Sequence, residues 1–278
     1  MSALYTPPVS QLLALGKLEW GDPWLDYGEL GITAEHVAEL IRLLLDEKVF
    51  WADPDSVEVW GTMHIWRALG QLRAEAAIEP LLEVMGWDDE ADWSLDEIPR
   101  VLGMIGPAAL EPVRAALARL ALDEETRWIV AASAANALEE IGKRFPEARS
   151  AVVDALQRQL RWWARQDEDL NASLVSSLVN LRAVEAAPVI EEAFSAGAVD
   201  EFLVGDWEDV QVELGLLAER ITEQPWYGMG SPAGLGHMGR RSPEPGRPAP
   251  SRNAAAEAKR RRKAQKVSRQ RNRKRKKR

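Results

Sequence analysis

Leu69-Gly70-Gln71-Leu72 and, 33 residues later, Leu102-Gly103-Met104-Ile105 are two copies of one signal: apolar side chains three apart with a glycine between them. Residues three apart share one face of a helix. The pair returns as Leu138/Ile141 and Leu178/Leu181, at further offsets of 36 and 40 residues. After each pair comes a short break and then a second apolar-periodic run. Ile78, Leu81, Leu82 and Met85 fall at i, i+3, i+4 and i+7, and Val153, Leu156, Leu160 and Trp163 run 3, 4, 3. Proline stands near the start of that second run at Pro80, Pro112 and Pro188, where its missing N–H leaves no helical bond unmade. No stretch alternates with period two for long enough to make a strand. Each period is therefore helix, break, helix. Such a hairpin cannot bury its apolar faces alone and has to stack on its neighbours.

Working outward from the repeats, helix starts fit the same parsing. Ser94 followed by Glu97 reads as a capping box, and Asp55 followed by Glu58 as a close relative. Thr33 and Asp123 read as N-caps. Pro8 to Leu18 and Ala34 to Asp46 are expected to be two further helices, with Leu15-Gly16-Lys17-Leu18 as a degenerate first copy of the repeat signal. Beyond the repeats, Val210, Leu214, Leu217 and Ile221 (spacing 4, 3, 4) predict a closing helix over about 206–222, entered through Gly205-Asp206-Trp207.

The segments Trp60–Trp87, Ile98–Leu117 and Arg127–Gly142 resemble HEAT repeats. In the last of them Arg127-x-x-x-Ala131-Ala132-x-Ala134-Ala135-x-Ala137-Leu138 resembles the first helix of the bacterial, phycobilisome-lyase-like HEAT type. With Gly205–Val210, the body is also similar to a bacterial family of HEAT-like proteins that ends in a basic tail. The resemblance implies an all-α fold, a right-handed α-solenoid of stacked helical hairpins followed by a disordered basic tail. It implies no activity. HEAT-like folds include DNA glycosylases and chromophore lyases, and these are the enzyme alternatives to weigh.

Charge divides the 278 residues sharply. Met1 to Tyr227 carries 42 Asp/Glu against 17 Lys/Arg, a net of −25, and is read as the solenoid, with its clearest repeats at 56–198. Residues 228–251 are read as a flexible linker, since 11 of the 23 residues from Gly228 to Pro250 are Gly or Pro. Residues 252–278 carry 15 Lys/Arg against one Glu, a net of +14, too polar to fold alone. A phosphate backbone is repelled by the first segment and attracted by the last. The tail residues expected to meet RNA or DNA are Lys259, Arg260, Arg261, Arg262, Lys263, Lys266, Arg269, Arg271, Arg273, Lys274, Arg275, Lys276, Lys277 and Arg278. Contacts of this kind position without reading bases. The lead-in Ala254–Ala258 has helix propensity, so helix is expected to propagate once phosphates neutralise the charge. In a eukaryote the same runs would serve as a nuclear localisation signal. The acidic body is expected to compete with nucleic acid for the tail.

Other chemistry is sparse. The chain has no cysteine, and His36, His64 and His237 are too far apart for a common metal motif. No phosphate-binding loop occurs, and no apolar run approaches membrane length. No cofactor, metal or catalytic residue is assigned, and a cytoplasmic location is expected. Tryptophan is the unusual residue, at 12 against 3 Tyr and 4 Phe. Trp24, Trp51, Trp87, Trp93 and Trp207 stand beside acids in loops. They are either corner packing with acids at helix starts or an aromatic, acidic surface for an unidentified protein partner. The reading that follows is a non-enzymatic interaction protein, with the solenoid as its protein-binding part and the tail as its nucleic-acid tether.

Overall fold

The computed structural model describes residues 5–18, 23–53, 55–87, 93–123 and 127–223, and these fall in one compact unit. Every regular element among them is helical. After a 3₁₀ turn at Val9–Ala14 come α1 (Val37–Leu44) and α2 (Glu47–Phe50). Four hairpins follow: α3 (Gly61–Gln71) with α4 (Ile78–Met85), α5 (Trp93–Ile105) with α6 (Leu110–Leu120), α7 (Trp128–Arg144) with α8 (Arg149–Leu160), and α9 (Glu168–Asn180) with α10 (Ala187–Ser195). Short helices α11 (Glu201–Val204) and α12 (Trp207–Glu213) end the array. The hairpins stack as an α-solenoid. The first helices form one row, α3 on α5 on α7 on α9, and the second helices another, α4 on α6 on α8 on α10 on α12. Each of α4, α6 and α8 also lies against the first helix of the following hairpin, so the core is built between repeats as much as within them.

The paired apolar residues sit where these layers meet. Leu69, Leu102, Leu138, Ile141 and Leu178 are completely buried, Ile105 and Leu181 nearly so, and Leu72 is half-buried. Burying one such side chain contributes about 1.5–3 kcal/mol. The glycine inside the signal has a separate cause. A Cβ on Gly103 would stand 2.5 Å from the Glu140 Cβ of α7, so its absence lets α5 and α7 approach closely. Gly70 faces Val101 and Met104 of α5 in the same way, with more room.

The break after each pair is a helix stop closed by the backbone. In the first hairpin Ala74 N–H donates to the Leu69 carbonyl (3.1 Å) and Arg73 N–H to that of Gly70 (3.0 Å). The fourth repeats this with Ala183 to Leu178 (2.9 Å) and Arg182 to Val179 (2.7 Å). These are Schellman closures, which need a left-handed residue, here Arg73 (φ 48°) and Arg182 (φ 52°). A 3₁₀ turn then leads into each second helix. Pro80 and Pro112 occupy its third position and Pro188 its second, all within the first turn. In the third hairpin α7 runs past Ile141 to Arg144 before it stops.

Several local expectations are corrected. Pro8 to Leu18 holds only the short Val9–Ala14 turn, and Leu15–Leu18 is not a repeat copy: Gly16 has φ +79°, which no right-handed helix contains. The closing helix does not reach 222. It stops at Glu213, because Gly215 (φ +77°) completes another Schellman closure, with Leu216 N–H on the Gln211 carbonyl (2.8 Å) and Gly215 N–H on that of Val212 (2.9 Å). Ile221 is consequently 81% exposed. Ser94 and Glu97 form no capping box, since Ser94 already lies inside α5 and Glu97 is engaged elsewhere. Ser56, not Asp55, precedes the Val57–Trp60 turn, and Arg127, not Asp123, holds the cap position of α7. Thr33 and Asp206 do occupy N-cap positions, and Asp206 accepts from the Asp209 N–H at 2.9 Å. Among the described residues no single helix is long and apolar enough to cross a membrane.

Candidate functional site

The five tryptophans do not form one surface. Trp24 is half-buried against two cations: the Arg67 guanidinium lies 4.7 Å from its ring centre and that of Arg100 5.6 Å. Trp93 stacks on Trp60 at 4.4 Å. Trp207 leans on Phe194 at 5.9 Å near the opposite end of the array. Trp51 and Trp87 are brought together, because Phe50 stands edge-on to both at 4.8 and 5.2 Å. Trp51 remains 41% exposed, which makes the three rings a ledge open to solvent.

Beneath Trp24 lies the feature that sequence reasoning missed. Arg67 of α3 donates from Nε (3.0 Å) and Nη2 (2.8 Å) to the two carboxylate oxygens of Glu97 on α5, and both residues are buried. Arg100 adds a longer contact to the same carboxylate at 3.8 Å. The sequence held a signal: the 33-residue repeat offset maps Arg67 onto Arg100 and His64 onto Glu97. A charge at a position otherwise reserved for the core needs a partner one repeat away. A buried acid between two arginines and a tryptophan is a combination of groups that an enzyme could use. Both its oxygens, however, accept from Arg67, and the cluster fastens the N-terminal segment to the α3–α5 seam.

His64 is likewise occupied. Its Nε2 lies 3.0 Å from the Gly16 carbonyl and its Nδ1 2.8 Å from the Tyr27 hydroxyl. One tautomer satisfies both, Nε2–H donating and Nδ1 accepting. Burial lowers the imidazole pKa, which keeps it neutral, and burial also raises the Tyr27 pKa. His36 accepts from the Thr33 N–H at 3.0 Å. Among the described residues no three His, Asp or Glu side chains converge as metal ligands would.

Two charged features stand apart from the core. Between α4 and α6 runs a groove of about 640 Å³, lined by Glu79, Pro80, Leu82, Glu83, Gly86 and Trp87 on one side and Arg119, Leu120 and Asp123 on the other. At the end of the array Arg220 clamps the segment after α12. It donates to Asp206 (2.7 and 2.8 Å) and to Asp209, and Glu208 lies 3.3 Å away. The hydrogen bonds from Arg220 pull the Asp206 carboxyl below the usual range and hold Arg220 as a cation. The linker and all tail residues from Lys259 to Arg278 lie outside the described residues.

Residues 67–86 match the PBS lyase HEAT-like repeat model. The chain carries a HEAT-like repeat. The match spans the last five residues of α3, the Arg73 closure and all of α4 with its proline. No curated protein and no solved structure matches the chain.

Proposed function

We propose that this HEAT-like repeat protein is a non-enzymatic interaction protein whose acidic solenoid binds a protein partner and whose basic tail tethers it to RNA or DNA. One observation carries the reading: 1–227 holds a net charge of −25 and 252–278 a net charge of +14, on either side of a Gly/Pro-rich linker. Segregated charge of this size reports on partners rather than on fold. The site chemistry supports it. Glu97 and His64, two buried groups suited to acid–base work, are both committed to neighbouring repeats or segments. A bundle of hairpins with a solvent-open aromatic ledge is suited to holding another polypeptide. Affinity capture with the full chain, and with a full chain whose 14 Lys/Arg from Lys259 to Arg278 are replaced by Gln, tests the division of labour. Recovered RNA or DNA should disappear with the tail charge while recovered protein persists. Nucleic acid retained by the neutralised chain would refute the tether.

A further inference from the structure

We infer that the groove between α4 and α6 is a docking site for a Lys/Arg-rich segment of a partner protein that carries an aliphatic anchor residue. The inference rests on the reading of the solenoid as the protein-binding part. Its first support is an imbalance of charge along the outer row of helices. On α6 the exposed Glu111 is neutralised by Arg114 at 2.7 Å, and on α8 Asp154 by Arg158 at 2.6 Å. The sequences of α4 and α10 contain no cation, and of these two it is α4 that lines the groove. Its Glu79 and Glu83, one turn apart and both exposed, have no ion-pair partner among the described residues. With Asp123 they give the groove three carboxylates against the single guanidinium of Arg119 among its lining residues, an excess of negative charge open to an incoming cation.

The second support is what lies between the charges. Leu82 and Leu120 floor the groove, with Pro80 half-exposed beside them. Trp87 walls it and continues through Phe50 to the exposed Trp51. An aliphatic side chain fits the floor, and an ammonium or guanidinium fits the carboxylates. Hot spots of this composition, an aromatic wall with complementary charge at its rim, are the usual anchors of peptide segments. A phosphate-bearing ligand is disfavoured by the same carboxylates and by the net charge of the body.

The test titrates the full chain with a fluorescein-labelled 12-residue peptide, three repeats of Lys-Leu-Arg-Lys, at about 0.15 M salt, where the Debye length is about 8 Å, and follows anisotropy. The double variant Glu79→Lys/Glu83→Lys should weaken binding about tenfold or more, since close charge pairs at an interface carry that much. Glu191→Lys/Glu192→Lys, the same charge change on the exposed face of α10, should weaken it less than about threefold, because more distant charges are screened. A peptide with its leucines changed to glycine should bind the wild type more weakly. Equal losses in the two double variants would mean diffuse acidity and overturn the groove while leaving the solenoid's protein-binding role intact. No binding of the peptide by any form overturns the groove, and that role then stands or falls on the capture experiment. Binding that emerges only when the chain's own Lys/Arg run is changed to glutamine overturns the partner and assigns the groove to that run.

Discussion

Gly70 and Gly103 occupy the same register of consecutive repeats, yet a methyl group should affect them differently. At Gly103 the added carbon would meet the Glu140 Cβ at 2.5 Å and its backbone carbon at 3.2 Å, neither of which can swing aside. Gly103→Ala should therefore push α5 from α7 and cost about 1–3 kcal/mol, outweighing the gain of roughly 1 kcal/mol in helix propensity. At Gly70 the nearest atoms lie at 3.4–3.5 Å, an ordinary contact. Gly70→Ala should be neutral or slightly stabilising. Thermal melts of the two variants decide the matter, and equal destabilisation would mean that close approach is not what the glycine provides. Asp169 makes a second single-residue case. Burial first, then a hydrogen bond with Asp200 and the charges of Asp167, Asp200 and Glu168, raise its carboxyl from 3.8 to about 6. The folded chain thus holds the proton more tightly than the unfolded one, and stability falls as pH rises from about 4 through 6. The melting temperature should rise on acidification from pH 7.5 to 5.5. Asp169→Asn should flatten that rise and melt higher than wild type at pH 7.5; an unchanged profile would contradict the assignment.

The seam between α3 and α5 joins the signal that was readable to the one that was not. The apolar pairs and the prolines are local chemistry, so the hairpins and their order were legible from Leu69 to Leu181, while the left-handed stops at Arg73 and Arg182 were not, since arginine does not mark such a position. The Arg67–Glu97 pair was not, because a buried ion pair is a fact about two helices 30 residues apart, and Ser94/Glu97 offered a plausible local alternative. The closing helix failed for a similar reason. Its spacing of apolar residues was helical, but Gly215 and the Arg220 clamp gave the chain a better set of bonds. Of the proposed partner-binding tryptophans, the residues were visible and their grouping was not: Phe50 links Trp51 with Trp87. Two mutational outcomes follow at this seam. Glu97→Ala strands a buried guanidinium and should cost about 3–5 kcal/mol, whereas Arg67→Met with Glu97→Leu should restore most of the loss. Leu102→Ala, fully buried where α5 meets its neighbours, should cost about 2–5 kcal/mol and broaden the unfolding transition, since stability in such an array is held between adjacent repeats. Denaturant titration followed by circular dichroism measures both. A double variant no more stable than Glu97→Ala would show that the pair is not what couples α3 to α5.

For the chain as a whole, composition hides the organisation: a net charge of −9 averages an acidic repeat array with a basic terminus. The array supplies rigidity through inter-repeat packing, and its surface acids are partly spent on caps and clamps such as Asp206, Asp209 and Arg220. Glu79 and Glu83 are left facing a groove. The terminus supplies a dense cation that nothing in the array's sequence resembles. Binding a single-stranded RNA through it should release counterions, with log K falling against log salt by about 0.7 for each phosphate neutralised. The most direct measurement is the affinity of the full chain for a generic single-stranded RNA across a salt series, beside the chain with its 14 terminal cations changed to Gln. Six or more contacts give a slope of about −4 or steeper for the natural chain, little sequence preference, and no measurable binding once the cations are gone. A slope near zero, or equal affinity of the two chains, would contradict the proposed division between a protein-binding body and a nucleic-acid-binding tail.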